Sequence, residues 1–156
     1  RIPTLAEVLD ALGDRLRINI EIKGRAWRGE GLEAEIAEMV RARGLVDTVI
    51  ISSFNPWALV RMKKAAPALG CALLYASPPV HLDCMPTAAR HLLRAQALHP
   101  HLRLVTPFYI ARAQRHGLRV NVWTVNQEAE MKRLIALGVD GIITDHPALL
   151  RRVLGY

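Results

Sequence analysis

The segment Arg17-Ile18-Asn19-Ile20-Glu21-Ile22-Lys23 alternates three isoleucines with an amide, a carboxylate and an ammonium. Side chains point alternately to opposite faces of a strand, so Ile18, Ile20 and Ile22 share one face and Asn19, Glu21 and Lys23 the other. Parallel strands buried on both faces read as nearly continuous apolar runs. Here one face is suited to packing and the other to polar chemistry. Charges taken out of water need a metal, a phosphate or each other. A carboxylate is a hard oxygen ligand suited to Mg²⁺ or Ca²⁺, and the nearby ammonium could hold the negative charge of a phosphate. A purely structural Glu21–Lys23 ion pair satisfies the same two groups.

A second run, Val120-Asn121-Val122-Trp123-Thr124-Val125-Asn126, puts Asn121 and Trp123 on one face. Trp123 there either fills a core or walls a pocket. Ser52, Ser53 and Phe54 end one further apolar run and Tyr75 ends another. The six histidines are the natural candidates for acid and base. His91, His101 and His116 have polar neighbours and read as surface residues; His81 lies in the proline-rich stretch 77–86. His99 ends an apolar run and His146 follows Asp145, and for both a loop or helix-start role outweighs catalysis. No Ser-His-Asp spacing, G-x-S-x-G elbow or Walker loop occurs.

The elements that must position these residues recur evenly. Apolar runs at residues 17–23, 48–54, 72–75, 95–99, 120–126 and 141–145 have centres roughly 25 residues apart. Helical spacing fills the gaps: Leu32, Ile36, Met39 and Val40 recur among Glu33, Glu35 and Glu38, and Met131, Leu134, Ile135 and Leu137 precede Gly138. Thr4 with Glu7 makes a capping box for a first helix carrying Leu5, Val8, Leu9 and Leu12 and ending at Gly13. Pro56, Pro107 and Pro147 sit where helices begin. Six strand–helix units of this kind predict an α/β fold with parallel strands. The dinucleotide-binding open sheet loses its main support because no G-x-G-x-x-G turn follows any strand. A full eight-unit barrel takes ~250 residues, so the 156 residues predict an incomplete (β/α)8 barrel, one domain over residues 1–156 with about six of eight units. Barrel active sites lie at the carboxyl ends of the strands. Glu21, Lys23, Phe54, Tyr75, Trp123 and Asp145 are therefore expected on one rim.

Composition narrows the partners. With 51% hydrophobic and 22% charged residues the chain can bury a core. The longest stretch without a polar side chain, residues 65–76, contains Pro67 and Gly70 and falls well short of the ~18 needed for a membrane span. A net charge of +7 favours anionic ligands. The basic residues are spread along the chain without interleaved aromatics, which argues against a nucleic-acid platform. The densest group, residues 112–119, reads as a solvated helix face. Cys71 and Cys84 form neither a metal spacing nor a disulfide framework, which points to a reducing, cytoplasmic setting. The chain opens on Arg1 rather than Met and is expected to continue a longer protein.

At these residues the sequence resembles the glycerophosphodiester phosphodiesterases. The matching pieces are Pro3-Thr4-Leu5 with Glu7 and Val8, Asn19-Ile20-Glu21-Ile22-Lys23, Ser52-Ser53-Phe54, Val122-Trp123-Thr124-Val125-Asn126, and Gly138-Val139-Asp140-Gly141-Ile142-Ile143-Thr144-Asp145-His146-Pro147. Each string is weak alone; their order over nearly the whole chain is specific. The resemblance implies a TIM barrel, with this chain as its third through eighth strands and the C-terminal three-quarters of the domain. It implies that Glu21 is a metal-binding glutamate for Mg or Ca, that Lys23 stands near the phosphate, and that Phe54 and Trp123 wall the glycerol side. Tyr75 is a weaker substrate-binding match, and Ser53, Thr124 and Asp145 take supporting roles.

The departures concern the catalytic groups. The family's H-R-G, which holds one catalytic histidine, its E-x-D metal pair and its second catalytic histidine match nothing in this chain. The expectation is therefore an intact parent that cleaves a small-molecule glycerophosphodiester, or a related lysophospholipid, and a segment that is inactive by itself. An alternative is a non-catalytic phosphoester-binding or interaction module that self-associates through open sheet edges. A phospholipase D-like toxin is a third reading, opposed by the two unpatterned cysteines.

Overall fold

The computed structural model describes residues 1–24, 31–77 and 85–156. His81 and Cys84 lie outside the described residues. Two compact units are formed, one from residues 1–73 with 93–95 and the other from residues 74–92 with 96–156.

The first unit runs α1 (Leu5–Leu12), β1 (Ile18–Glu21), α2 (Leu32–Ala42), β2 (Val49–Ser53), α3 (Pro56–Ala65) and the opening residues of β3 (Gly70–Tyr75). The capping box forms as its residues dictate: Thr4 Oγ1 accepts the Glu7 N–H, and the Glu7 carboxylate accepts the Thr4 N–H at 2.8 Å. These bonds, with Arg1 alongside, hold the Glu7 carboxyl below its ordinary value. Gly13 caps α1 in a right-handed conformation, so it is not there for backbone freedom. A Cβ at this position would lie 2.3 Å from Leu45 Cδ1, and the residue is small because the helix end meets that side chain. β1, β2 and β3 pair in parallel, with Glu21 opposite Ser52 and Ser52 opposite Ala72. Leu9, Ile36, Val40, Ile51, Leu59, Met62 and Leu69 are buried between strands and helices, each worth about 1.5–3 kcal/mol of transfer free energy. Glu33 of α2 is also buried, and Arg61 of α3 donates to its Oε1 from Nε at 2.9 Å and Nη2 at 2.7 Å. That bond pairs the charge inside the helix–helix contact.

The second unit continues with α4 (Met85–His91), β4 (Ala97–Pro100), a 3₁₀ turn (Leu102–Leu104), α5 (Pro107–Arg115), β5 (Arg119–Val122), α6 (Glu128–Ala136), β6 (Gly141–Ile142) and α7 (Pro147–Val153). β4, β5 and β6 are parallel, with Leu98 opposite Val120 and Asn121 opposite Gly141. Leu98, Val120, Val122, Met131 and Leu134 are fully buried. Gly138 stops α6 at φ +75°, where only glycine is unstrained.

Every expected strand forms, with adjusted ends. The run at 17–23 is a strand over Ile18–Glu21, and that at 120–126 over Arg119–Val122. The sixth strand stops at Ile142 rather than Asp145 because Asn126 takes over the bonding beyond it. Its Oδ1 accepts the Asp145 N–H at 3.0 Å and the Thr144 hydroxyl at 3.1 Å, and its Nδ2 donates to Asp145 Oδ2 at 2.8 Å. The basic helix expected over 112–119 ends at Arg115; Gly117, at φ +64°, turns the chain and Arg119 opens β5. No described helix is long and apolar enough to cross a membrane.

Candidate active site

In the first unit the polar face of β1 meets solvent. Asn19 and Glu21 are exposed, while Ile18 and Ile20 are half-buried. Pairing continues one residue past the strand, where the Ile22 N–H donates to Ser52 O at 2.8 Å. Lys23 follows with its side chain 83% exposed and its Nζ 3.5 Å from Glu21 Oε1. The sequence's carboxylate and ammonium are thus brought together, in a wet ion pair.

The adjoining end of β2 is firmly bonded. Ser53 Oγ donates to Ile22 O at 2.7 Å and accepts the Asn55 N–H at 3.0 Å, which ties the end of β1 to the β2–α3 connection. Asn55 Oδ1 accepts the Trp57 N–H at 3.0 Å and starts α3. Phe54, between these two anchors, is 49% exposed. Ser52 is fully buried opposite Glu21, and its Oγ has no partner among the described residues.

A divalent cation would find one hard carboxylate here. The described residues contain no cluster of three His, Cys, Asp or Glu side chains able to hold a metal ion. Glu21 therefore fits as a single ligand, and the described residues do not make a complete cation site.

In the second unit the corresponding strand ends carry a neutral block. His99 and His101 lie on one side of the β4 chain, Asn121 and Trp123 on the facing side of β5, and the offset is 22 residues for both pairs. His99 is 1% exposed. Its Nε2 meets Asn121 Nδ2 at 2.9 Å, and its Nδ1 has no partner among the described residues. An amide N–H donating to Nε2 leaves the ring proton on Nδ1. Burial, with the Arg119 charge nearby, pulls the His99 pKa down to about 4. Gly141 makes room for the block, since a Cβ there would stand 2.5 Å from Asn121 Oδ1.

Trp123 is held on two sides. Its Nε1–H donates to His99 O at 2.6 Å. The His101 and Trp123 rings stand nearly perpendicular, with centroids 5.1 Å apart and planes at 84°. The backbone continues the clamp, as Trp123 N–H donates to Pro100 O and Leu102 N–H to Trp123 O. His101, expected on the surface, is instead half-buried against the tryptophan. It was legible only through the shared 22-residue offset, which requires strand register to be noticed. Asp145 and His146 are exposed at the start of α7, beside a cleft of about 490 Å³ that Asn126 and Arg152 also line.

Tyr75, the weaker substrate-binding candidate, lies at the end of β3. It is 6% exposed, and its hydroxyl is hydrogen-bonded to the Tyr109 hydroxyl of α5. Burial raises both phenols well above their ordinary range. The contact packs the end of β3 against α5.

The model of the glycerophosphoryl diester phosphodiesterase family matches residues 1–149. The chain belongs to that family. It is 37% identical over 154 residues to the glycerophosphodiester phosphodiesterase of Caldanaerobacter subterraneus subsp. tengcongensis, covering 96% of this chain and 60% of that protein. The enzyme of the same name from Bacillus altitudinis is 31% identical, with 94% and 60% covered. Among solved structures, a phosphodiesterase from Oleispira antarctica in complex with the product sn-glycerol-3-phosphate gives a TM-score of 0.80 at 25% identity, covering 99% of this chain and 62% of that one. A Silicibacter pomeroyi protein assigned provisionally as a glycerophosphoryl diester phosphodiesterase gives 0.86 at 29% identity, with 99% and 56% covered. The chain thus spans about 60% of the length of the relatives it matches. Its parallel βα units are those of an incomplete phosphodiesterase barrel.

Proposed function

We propose that the protein hydrolyses glycerophosphodiesters to glycerol 3-phosphate and an alcohol. Water oxygen bonds to phosphorus, the phosphorus–oxygen bond to the alcohol breaks, and the departing oxygen takes a proton. Lys23 offsets the charge gathering on the phosphoryl oxygens. Glu21 supplies one ligand of a divalent cation, Mg²⁺ or Ca²⁺, which polarises phosphoryl oxygens when bound. Phe54 and Trp123 are the candidate aromatic residues for the glyceryl group, Tyr75 is a weaker substrate-binding candidate, and Ser53, Thr124 and Asp145 have supporting roles. The acid and base are assigned to residues beyond these 156. The observation that carries the reading is the Glu21–Lys23 pair at a strand's carboxyl end in a chain of this family.

The decisive assay follows glycerol 3-phosphate release from a glycerophosphodiester by the protein extended to its relatives' length. Release that stops with a chelator is expected; its absence under every divalent cation tried rejects the enzyme reading. The 156 residues assayed alone should give no turnover, and chelator-sensitive turnover from them would show that the acid and base lie within. A phosphoester-binding or interaction module shares the same binding residues and differs in having no turnover at full length. Among the described residues β1 pairs only with β2 and β6 only with β5, so self-association through sheet edges is expected by light scattering.

A further inference from the structure

We propose that His101 is a specificity-determining residue that donates a hydrogen bond from Nε2 to a hydroxyl of the substrate's glyceryl group, which lies against Trp123. The inference rests on the phosphodiesterase reading above.

Three features of the structure carry it. First, His101 Nδ1 is occupied: it accepts the Arg103 N–H at 3.3 Å and so caps the 3₁₀ turn. A nitrogen that accepts carries no proton, so the neutral ring bears its proton on Nε2 and presents a donor there. Second, that donor has no partner among the described residues, although the ring is fixed on both sides. Trp123 packs nearly perpendicular to the ring, and the His101 backbone N–H donates to Tyr75 O at 2.9 Å. Third, Trp123 cannot swing away, because its Nε1–H is engaged by His99 O and the His99 ring is in turn braced by Asn121.

The chemistry of the group on offer selects the ligand. A neutral donor beside an aromatic face suits an alternation of C–H and hydroxyl, as in a polyol, with the C–H side on the ring. A phosphoryl oxygen calls for a cation or a row of backbone donors, and this block contains neither. His99 and Asn121 are positioning residues under this arrangement, since they reach a ligand only through Trp123.

The test titrates two probes of equal phosphoryl charge, sn-glycerol 3-phosphate and ethyl phosphate, into the full chain. Calorimetry reads the affinity, and the histidine ring signals in nitrogen-15 spectra report contact. His101→Asn keeps an acceptor for Arg103 N–H and removes the far donor, so folding is preserved. It should weaken glycerol 3-phosphate about five- to tenfold, the worth of one neutral hydrogen bond, and leave ethyl phosphate within about twofold. His101→Gln, whose amide can reach the Nε2 position, should recover most of the loss. Equal weakening of both probes, or of neither, overturns the assignment of His101 and leaves the phosphodiesterase reading in place. A wild-type chain that binds neither probe removes the phosphoester site from these residues and the assignment with it.

Discussion

The end of β1 and the β4–β5 pair both present polar side chains at the carboxyl ends of parallel strands, under opposite conditions. At β1 the groups are charged and wet: Glu21 is exposed, and Lys23 stands 3.5 Å away with most of its surface in water. On β4 and β5 they are neutral and withdrawn from water, with His99 buried, Asn121 and Trp123 half-buried, the His99 Nε2 on Asn121 and its backbone carbonyl on Trp123. Water makes an exposed ion pair worth little to stability, about 0–1 kcal/mol. It also leaves both charges available to a ligand. A buried neutral network is worth more to the fold and has less freedom to change partners. The first region is built to engage charge and the second to hold shape.

Acid should break this contrast most strongly. Unfolded, His99 takes up its proton near pH 6.5; folded, it does so near pH 4. Between these values the unfolded state binds more protons, so stability falls as pH drops, by about 3 kcal/mol in all. Above pH 6.5 the residue is neutral in both states and contributes no slope. Denaturant melts of the wild type and His99→Gln, compared at pH 7 and pH 4.5, should show the excess acid sensitivity only in the wild type. Equal slopes would mean that His99 is not buried as a neutral ring.

Gly141→Ala attacks the same block by volume. The new Cβ meets Asn121 Oδ1 at 2.5 Å, and overpacking of this kind costs about 1–3 kcal/mol. Asn121→Ala should return most of that loss in the double variant, which a double-mutant cycle by chemical denaturation measures. Trp123→Phe removes one hydrogen bond to His99 O and should cost about 1 kcal/mol in the same melts.

The smallest stability effect belongs to β1. Glu21→Gln and Lys23→Gln should each stay within about 0.5 kcal/mol of wild type. Under the proposed function, the same Lys23 substitution in the protein extended to its relatives' length should lower kcat about 100-fold, the scale of losing a charge that acts on the transition state. A large melting shift from either variant, with turnover intact, would reverse the roles assigned to the two regions.

Much of this was legible from local patterns. The alternation Ile18-Asn19-Ile20-Glu21-Ile22-Lys23 located a strand and its polar face, and Thr4 with Glu7 located a helix start, because both depend on neighbours within a few residues. Pro56, Pro107 and Pro147 open helices as their fixed φ predicts. Strand ends were harder to place. β6 closes early because Asn126, 18 residues before Thr144 and 19 before Asp145, takes over their bonding. The burial of Tyr75 was not legible from its place at a strand end, because it depends on Tyr109 reaching it from α5.

The sequence by itself determined the parallel βα architecture, the family, and the carboxylate–ammonium pair at the end of β1, since periodicity and adjacent residues suffice for each. The tertiary structure decided which histidines matter. His99 and His101 acquire their roles from Asn121 and Trp123, 22 residues later in the chain. The His99 ring proton is placed by its contact with Asn121, and the burial that lowers the His99 pKa follows from strand register and from the space that Gly141 leaves for Asn121, quantities that arise only when separate strands are laid side by side.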